Sequence, residues 1–171
     1  MILTTALGCL LQYTAVAQTA ATDNKVSGSV TFKEMPKGRG VYGIFEGRSP
    51  CAAIGRQLGA GLHADCDHLK WQLILFRDSV NLKPTTYLLT TEMFEHRPLR
   101  GTWQIVKGKM TDPAAICYLL NTALSGKPLY LLKGDENVIF ILDEKFKPLT
   151  GDRDFSYTLN RVNKVLQHSG Y

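Results

Sequence analysis

The chain has 171 residues, of which 44% are hydrophobic and 20% charged, and its 20 Lys and Arg outweigh 15 Asp and Glu for a formal net charge of +5. That size and balance provide one globular core and no sign of a second domain. The basic residues are scattered and no basic stripe is interleaved with aromatics, which excludes nucleic-acid binding and leaves solubility and a loose attraction to anionic surfaces as the role of the charge.

Residues 1–17 carry no charge, run through Ile2-Leu3, Ala6-Leu7 and Leu10-Leu11, and close on Ala15-Val16-Ala17, the small-x-small form of a signal cleavage site. A secretory signal is expected there. The apolar run is broken by Thr4, Thr5, Gln12 and Thr14 and is short for a membrane span. Cys9 is preceded by Ala6-Leu7-Gly8, which reverses the placing of Leu and small residue that a lipidation site uses, so membrane association is expected only if Cys9 is lipidated. The expected location is exported, in the periplasm or at the outer membrane.

A polar linker is expected over 18–25, a single domain over 26–163 and a C-terminal tail over 164–171. Within the domain, short alternating runs are separated by turn residues. Strands are expected over 26–32, 41–45, 71–76, 85–89, 101–106, 115–120, 128–132, 137–142 and 155–159. Met35-Pro36-Lys37-Gly38-Arg39-Gly40 divides the first two as a loop, and Gly134-Asp135-Glu136-Asn137 reads as a hairpin turn. Trp71 and Trp103, on alternating strands, are expected in the core. The exception to the strand pattern is 52–62, where Ile54, Leu58 and Leu62 recur at helical spacing. Many short strands with hairpin-length turns indicate an all-β fold, a small antiparallel β-barrel whose closure removes its edges, with one short helix after Cys51 lying over a barrel end.

Removal of the signal leaves Cys51, Cys66 and Cys117 in an oxidising compartment, and an odd number permits at most one bridge. Cys51 and Cys66 are the natural pair, because the segment between them is short, helix-prone and able to return on itself. Cys117 reads as a small buried apolar residue. Around Cys66 stand His63, Asp65, Asp67 and His68, and thiolate, imidazole and carboxylate together suit a copper or zinc ion. Three readings follow for this stretch: a structural Cys51–Cys66 disulfide, which is preferred; a metal site of Cys51, Cys66, His63, His68 and Asp65; and a redox-labile clasp.

Phe45-Glu46-Gly47-Arg48-Ser49-Pro50-Cys51 resembles the aromatic-x-Gly-x-x-Pro-Cys motif of the N-terminal domain of NlpE-type copper-resistance lipoproteins, and the order of Leu73-Ile74-Leu75-Phe76, Thr86-Tyr87-Leu88, Gly101-Thr102-Trp103 and 128–132 running into Ile141-Leu142-Asp143 is similar as well. The resemblance spans about residues 41–160 and implies a non-enzymatic envelope barrel, concerned with copper tolerance or envelope-stress sensing through contacts with other envelope proteins. One departure matters: that family has Cys-x-x-Cys, whereas here Ala52-Ala53-Ile54 follows Cys51 and the next cysteine is Cys66.

Two other functions remain in view, a lipocalin-like barrel holding a small apolar ligand and a thiol-redox protein using Cys51 and Cys66. The first requires that inward residues such as Leu73, Leu75, Ile139 and Ile141 leave an open cavity. Catalysis has little support, since the chain has no Gly-x-Ser-x-Gly elbow, no His-Glu-x-x-His helix and no phosphate-cradling Gly loop. A Cys51–His63 nucleophile pair is disfavoured, because a catalytic thiol must escape oxidation and the neighbouring Cys66 offers it a disulfide partner after export.

Overall fold

Alternation of apolar and polar residues along short runs sends one set of side chains to each face of a sheet, and the computed structural model closes that sheet on itself. It describes residues 27–29, 35–58, 65–94, 98–108, 112–121 and 127–165; the expected signal, Cys9 and the linker lie outside them. The elements are β1 (Ser27–Ser29), β2 (Val41–Pro50), α1 (Cys51–Leu58), β3 (His68–Arg77), β4 (Pro84–Thr91), a 3-10 turn (Glu92–Phe94), β5 (Leu99–Lys107), β6 (Ile116–Leu120), β7 (Leu129–Lys133), β8 (Val138–Leu142) and β9 (Thr158–Val165). Strands β2 to β9 pair antiparallel in sequence order, and β9 also pairs with β2, through Phe45 opposite Arg161 and Glu46 opposite Asn160. The result is a closed eight-stranded barrel. Outside it, β1 pairs in parallel with the end of β9, Ser27 opposite Val162 and Ser29 opposite Val165.

Strands β3 to β8 differ from expectation by one to three residues at their ends, and β2, β9 and the helix differ in ways that have a structural reason. β2 continues beyond Phe45 to Pro50, because its polar second half is paired residue by residue with β3, from Glu46 opposite Gln72 to Pro50 opposite His68. β9 starts three residues late, after a turn in which Asp152 Oδ1 accepts hydrogen bonds from the amides of Asp154 and Phe155, and it runs on to Val165. The helix is described over Cys51–Leu58, with the remainder of the expected 52–62 span, including Leu62, outside the described residues.

The barrel interior is filled. Leu73, Leu75, Ile139 and Ile141 are each 0% exposed and belong to one cluster with Phe45, Trp71 and Leu131, so the inward faces pack shut at these positions instead of lining a space. Each such side chain contributes about 1.5–3 kcal/mol on burial. A smaller cluster of Met35, Ile44, Ile74 and Val162 packs apart from the interior one. Ile44 and Ile74 alternate with the inward Phe45, Leu73 and Leu75, which places this cluster on the outer face of the wall. That explains the continuous apolar runs at 44–45 and 73–75.

Closure is made possible by a missing side chain. A Cβ on Gly47 would collide with the Thr158 carbonyl oxygen and the Leu159 side chain, so only glycine lets β2 and β9 approach at the seam.

The antiparallel order assigns every connection to an end. The β2–β3, β4–β5, β6–β7 and β8–β9 connections, with α1, lie at what is here termed the helix end. The β3–β4, β5–β6 and β7–β8 hairpins and the turn before β2 lie at the hairpin end.

Candidate functional site

The helix end carries the chemistry singled out in the sequence. Pro50 ends β2, Cys51 begins α1, and Ala52 and Ala53 supply strong helix formers for the first turn. Ile54 and Leu58, one turn apart, are buried in the interior cluster, so the apolar stripe of α1 caps the barrel mouth. Gln57, buried beside them, donates from Nε2 to the Leu142 carbonyl oxygen at 3.1 Å and fastens the helix to β8. Beneath the helix, Trp71 donates its indole N–H to Ser49 Oγ at 2.8 Å, with Ser49 wholly buried. Both polar atoms are thereby satisfied inside the core.

Cys51 and Cys66 form a disulfide with a Cα–Cα distance of 6.1 Å, joining the first residue of α1 to the segment that leads into β3. Closing a loop of sequence separation 15 restricts the unfolded chain and is worth about 3 kcal/mol in the chain-entropy account. The two sulfurs are not equivalent: Cys51 is 5% exposed, whereas Cys66 is only partly buried. Of the two sulfurs, Cys66 is therefore the one more open to an incoming thiolate, whose attack there would release Cys51.

The five residues of the metal reading divide as follows. Cys51 and Cys66 are bonded to each other, so neither sulfur is the thiolate that a copper or zinc ion requires, and ligation through them demands reduction first. Asp65 is exposed, and His63 lies outside the described residues. His68 stacks on Phe155 with ring centroids 4.6 Å apart and meets the Asp67 carboxylate through Nδ1 at 3.2 Å. Among the described residues no three His, Cys, Asp or Glu side chains converge as a metal set. Cys117 is fully buried, and burial pushes its thiol pKa up, which keeps it protonated and unreactive.

On the Ala53–Arg56–Gln57 side of α1, the helix and the turn after β8 border a cleft of about 330 Å³ with Arg56, Asp143, Glu144 and Lys145 on its lining. Asp143 is committed to the turn, its Oδ1 accepting from the amides of Lys145 and Lys147, and Glu144 pairs with Lys127.

The hairpin end holds a cluster that the sequence does not announce. Tyr42 and Tyr118 share a hydrogen bond between hydroxyls at 2.6 Å, Trp103 packs against both rings, and Trp103 Nε1 donates to the Phe76 carbonyl oxygen at 2.6 Å. Arg161 lies over the Tyr42 and Phe45 rings, donates from Nη1 to the Tyr42 carbonyl oxygen at 2.9 Å and from Nε to that of Glu136. A Cβ on Gly43 would strike that guanidinium and the Phe45 ring, so Gly43 makes the space Arg161 occupies. Burial, with the Tyr42 hydrogen bond second, raises the Tyr118 pKa far above the ordinary tyrosine value. Tyr42 and Arg161 are 119 positions apart, and only Gly43 beside Tyr42 hints at a close approach.

The chain matches no protein-family model, no curated protein and no solved structure.

Proposed function

We propose that this chain is an exported, non-enzymatic β-barrel of the cell envelope whose helix end reports oxidative state to a partner protein through the Cys51–Cys66 clasp. The reading rests chiefly on one observation: the disulfide ties the first residue of the capping helix to the strand lead-in, and its more accessible sulfur is Cys66. A bridge so placed couples thiol chemistry to the seating of α1 and to the charged cleft beside it. Exposed bridges are the ones with regulatory potential. The packed interior at Leu73, Leu75, Ile139 and Ile141 favours this reading over an apolar-ligand carrier.

The resemblance to NlpE-type domains supports the same role, with stress sensing preferred to copper binding because the close Cys-x-x-Cys pair is replaced by a bonded Cys51 and Cys66. Protein recovered from the envelope of its host should begin at Gln18 and, denatured without reductant, titrate a single thiol, that of Cys117. Cys51→Ser and Cys66→Ser should each alter the output of an envelope-stress reporter, with Cys117→Ser leaving it unchanged. Recovery of the protein from the cytosol with three or more free thiols would sink the proposal. So would a reporter indifferent to both cysteines. Copper and zinc titrations of the oxidised protein should match those of the Cys51→Ser and His63→Ala variants, and tighter binding by the parent would return the metal reading to first place.

A further inference from the structure

The described exposed large hydrophobic side chains all lie at the hairpin end: Val80 at 84%, Leu82 at 44% and Ile105 at 43% exposure. Two of them sit on the β3–β4 hairpin, whose backbone is held by a dense set of bonds. Asp78 Oδ1 accepts from the amides of Val80 and Asn81, both at 2.8 Å, while the Leu82 amide donates to the Asp78 carbonyl oxygen at 3.1 Å. The Asp78 amide donates to the Lys83 carbonyl oxygen at 2.8 Å, and Asn81 Oδ1 accepts from the Lys83 amide at 2.9 Å. The tip is therefore rigid, and it projects Val80 into solvent.

Leu82 has φ 61°, in the left-handed region that glycine or asparagine ordinarily fills. A branched apolar residue there is unfavourable for folding, and its side chain is not covered by the core. Its presence points outward.

Basic side chains outnumber acidic ones around this tip. Lys37 and Arg39, in the turn before β2, and Lys83 and Lys107 are exposed. Arg77 joins the two turns, donating from Nε to the Arg39 carbonyl oxygen at 2.9 Å. Asp78 sits on the tip, its carboxylate held ionised by the Asn81 and Val80 amides, Asp112 and Asp135 accept amides in their own hairpins, and Glu136 pairs with Lys133, so the four exposed basic residues with Arg77 leave this end net positive.

We propose that the hairpin end docks on the surface of an anionic lipid bilayer, Val80 and Leu82 entering the boundary between headgroups and acyl chains while Lys37, Arg39, Lys83 and Lys107 meet the phosphates. A protein partner would need about 800 Å² of complementary surface, which two side chains on a convex tip do not supply. A soft interface accepts such a tip, and apolar insertion combines there with attraction to anionic headgroups. This surface is separate from the clasp and stands or falls independently of the sensing role.

The test uses the full chain with its apolar N-terminal segment present in every variant, so that any contribution from that segment cancels. Vesicles of phosphatidylglycerol and phosphatidylcholine in equal parts, with brominated acyl chains, should quench the indole introduced by Val80→Trp and leave that introduced at the opposite end by Lys145→Trp unquenched. Pure phosphatidylcholine vesicles should quench neither. In sedimentation, Val80→Asp should weaken binding about tenfold, as expected for removing one apolar side chain from the interface, and Lys83→Glu should weaken it in low salt. Leu82→Gly should weaken binding while leaving the thermal midpoint equal to or above that of the parent, an outcome a purely structural leucine would not give. Equal quenching at both ends overturns the proposal, as does binding indifferent to Val80→Asp. Self-association that Val80→Asp abolishes would assign the tip to a protein contact and overturn it as well.

Discussion

The two ends of the barrel are closed by different means. At the helix end a local segment is folded back over the mouth and fixed by a covalent bond and the Gln57 side chain, above a wall in which Ser49 and Trp71 link β2 to β3. At the hairpin end no covalent bond is described, and closure is by Tyr42, Trp103, Tyr118 and Arg161, drawn from strands far apart in sequence. The first closure responds to thiol chemistry. The second responds only to what breaks packing or ionises a buried hydroxyl, so the barrel has one end that a reductant loosens and one that it leaves in place.

The largest perturbation should erase the contrast by opening the wall that both ends share. Gly47→Val places a side chain against the Thr158 carbonyl and should cost about 3 kcal/mol or more, as overpacking at a site with little freedom to relax. Urea unfolding should show a lower midpoint, with protection from hydrogen exchange lost at both ends together. Equal loss of protection confined to one end would mean that the seam is not what unites them.

Reduction should separate the ends. Breaking Cys51–Cys66 should cost about 2–4 kcal/mol in thermal or urea unfolding. Hydrogen exchange should quicken in α1 and the start of β3, with the amides of Val41 to Ile44 and of β6 unchanged. An unaltered melting curve would remove the clasp from the account of stability.

Ser49→Ala leaves the Trp71 indole N–H buried without its acceptor and should cost about 1–3 kcal/mol. Tyr42→Phe removes one hydroxyl from the opposite end and should cost about 1 kcal/mol. The first variant should speed reduction of the disulfide by loosening the bed beneath α1, and the second should leave that rate alone.

The smallest effect near neutrality concerns the buried tyrosine hydroxyls. Burial raises the pKa of Tyr118 in the hairpin-end cluster and also those of Tyr87 and Tyr157, which lie nearer the helix end. A raised folded-state value means that the folded protein holds the phenolic proton more tightly than the unfolded chain. The corresponding stability is complete below the ordinary tyrosine pKa of about 10 and is lost as pH rises beyond it. Absorbance of tyrosinate should therefore lag behind free tyrosine and appear together with alkaline unfolding. Early titration of every tyrosine in the folded protein would contradict the packed interior around Tyr118, Tyr87 and Tyr157.

Much of this was legible in the sequence, because a strand with one face inside a barrel writes its period directly. Leu73 with Leu75 and Ile139 with Ile141 alternate inward as expected, and Ile54 with Leu58 marks the capping face of α1. The pairing of Cys51 with Cys66 was legible for the same local reason. What was not legible depends mostly on partners elsewhere in the chain. The polar second half of β2 becomes a strand only because β3 lies beside it, whereas the late start of β9 has a local cause, the Asp152 turn, that the apolar pattern masked. Gly47 could be read as part of a family-like motif, but its reason, the passage of β9 across it, is visible only in three dimensions.

That seam also sets an order of events. The sulfurs of the clasp are 15 positions apart and can meet as soon as that stretch of chain has emerged, whereas β2 must wait for Arg161 and Asn160 to find its other edge. Local contacts form before distant ones because less chain must be ordered to make them. During folding the Cys51–Cys66 clasp would thus be in place while the sheet still exposed two unpaired margins and α1 still lacked its Leu142 partner. A chaperone that binds strand edges would find its target in that interval, and removal of the last strand would hold the protein there.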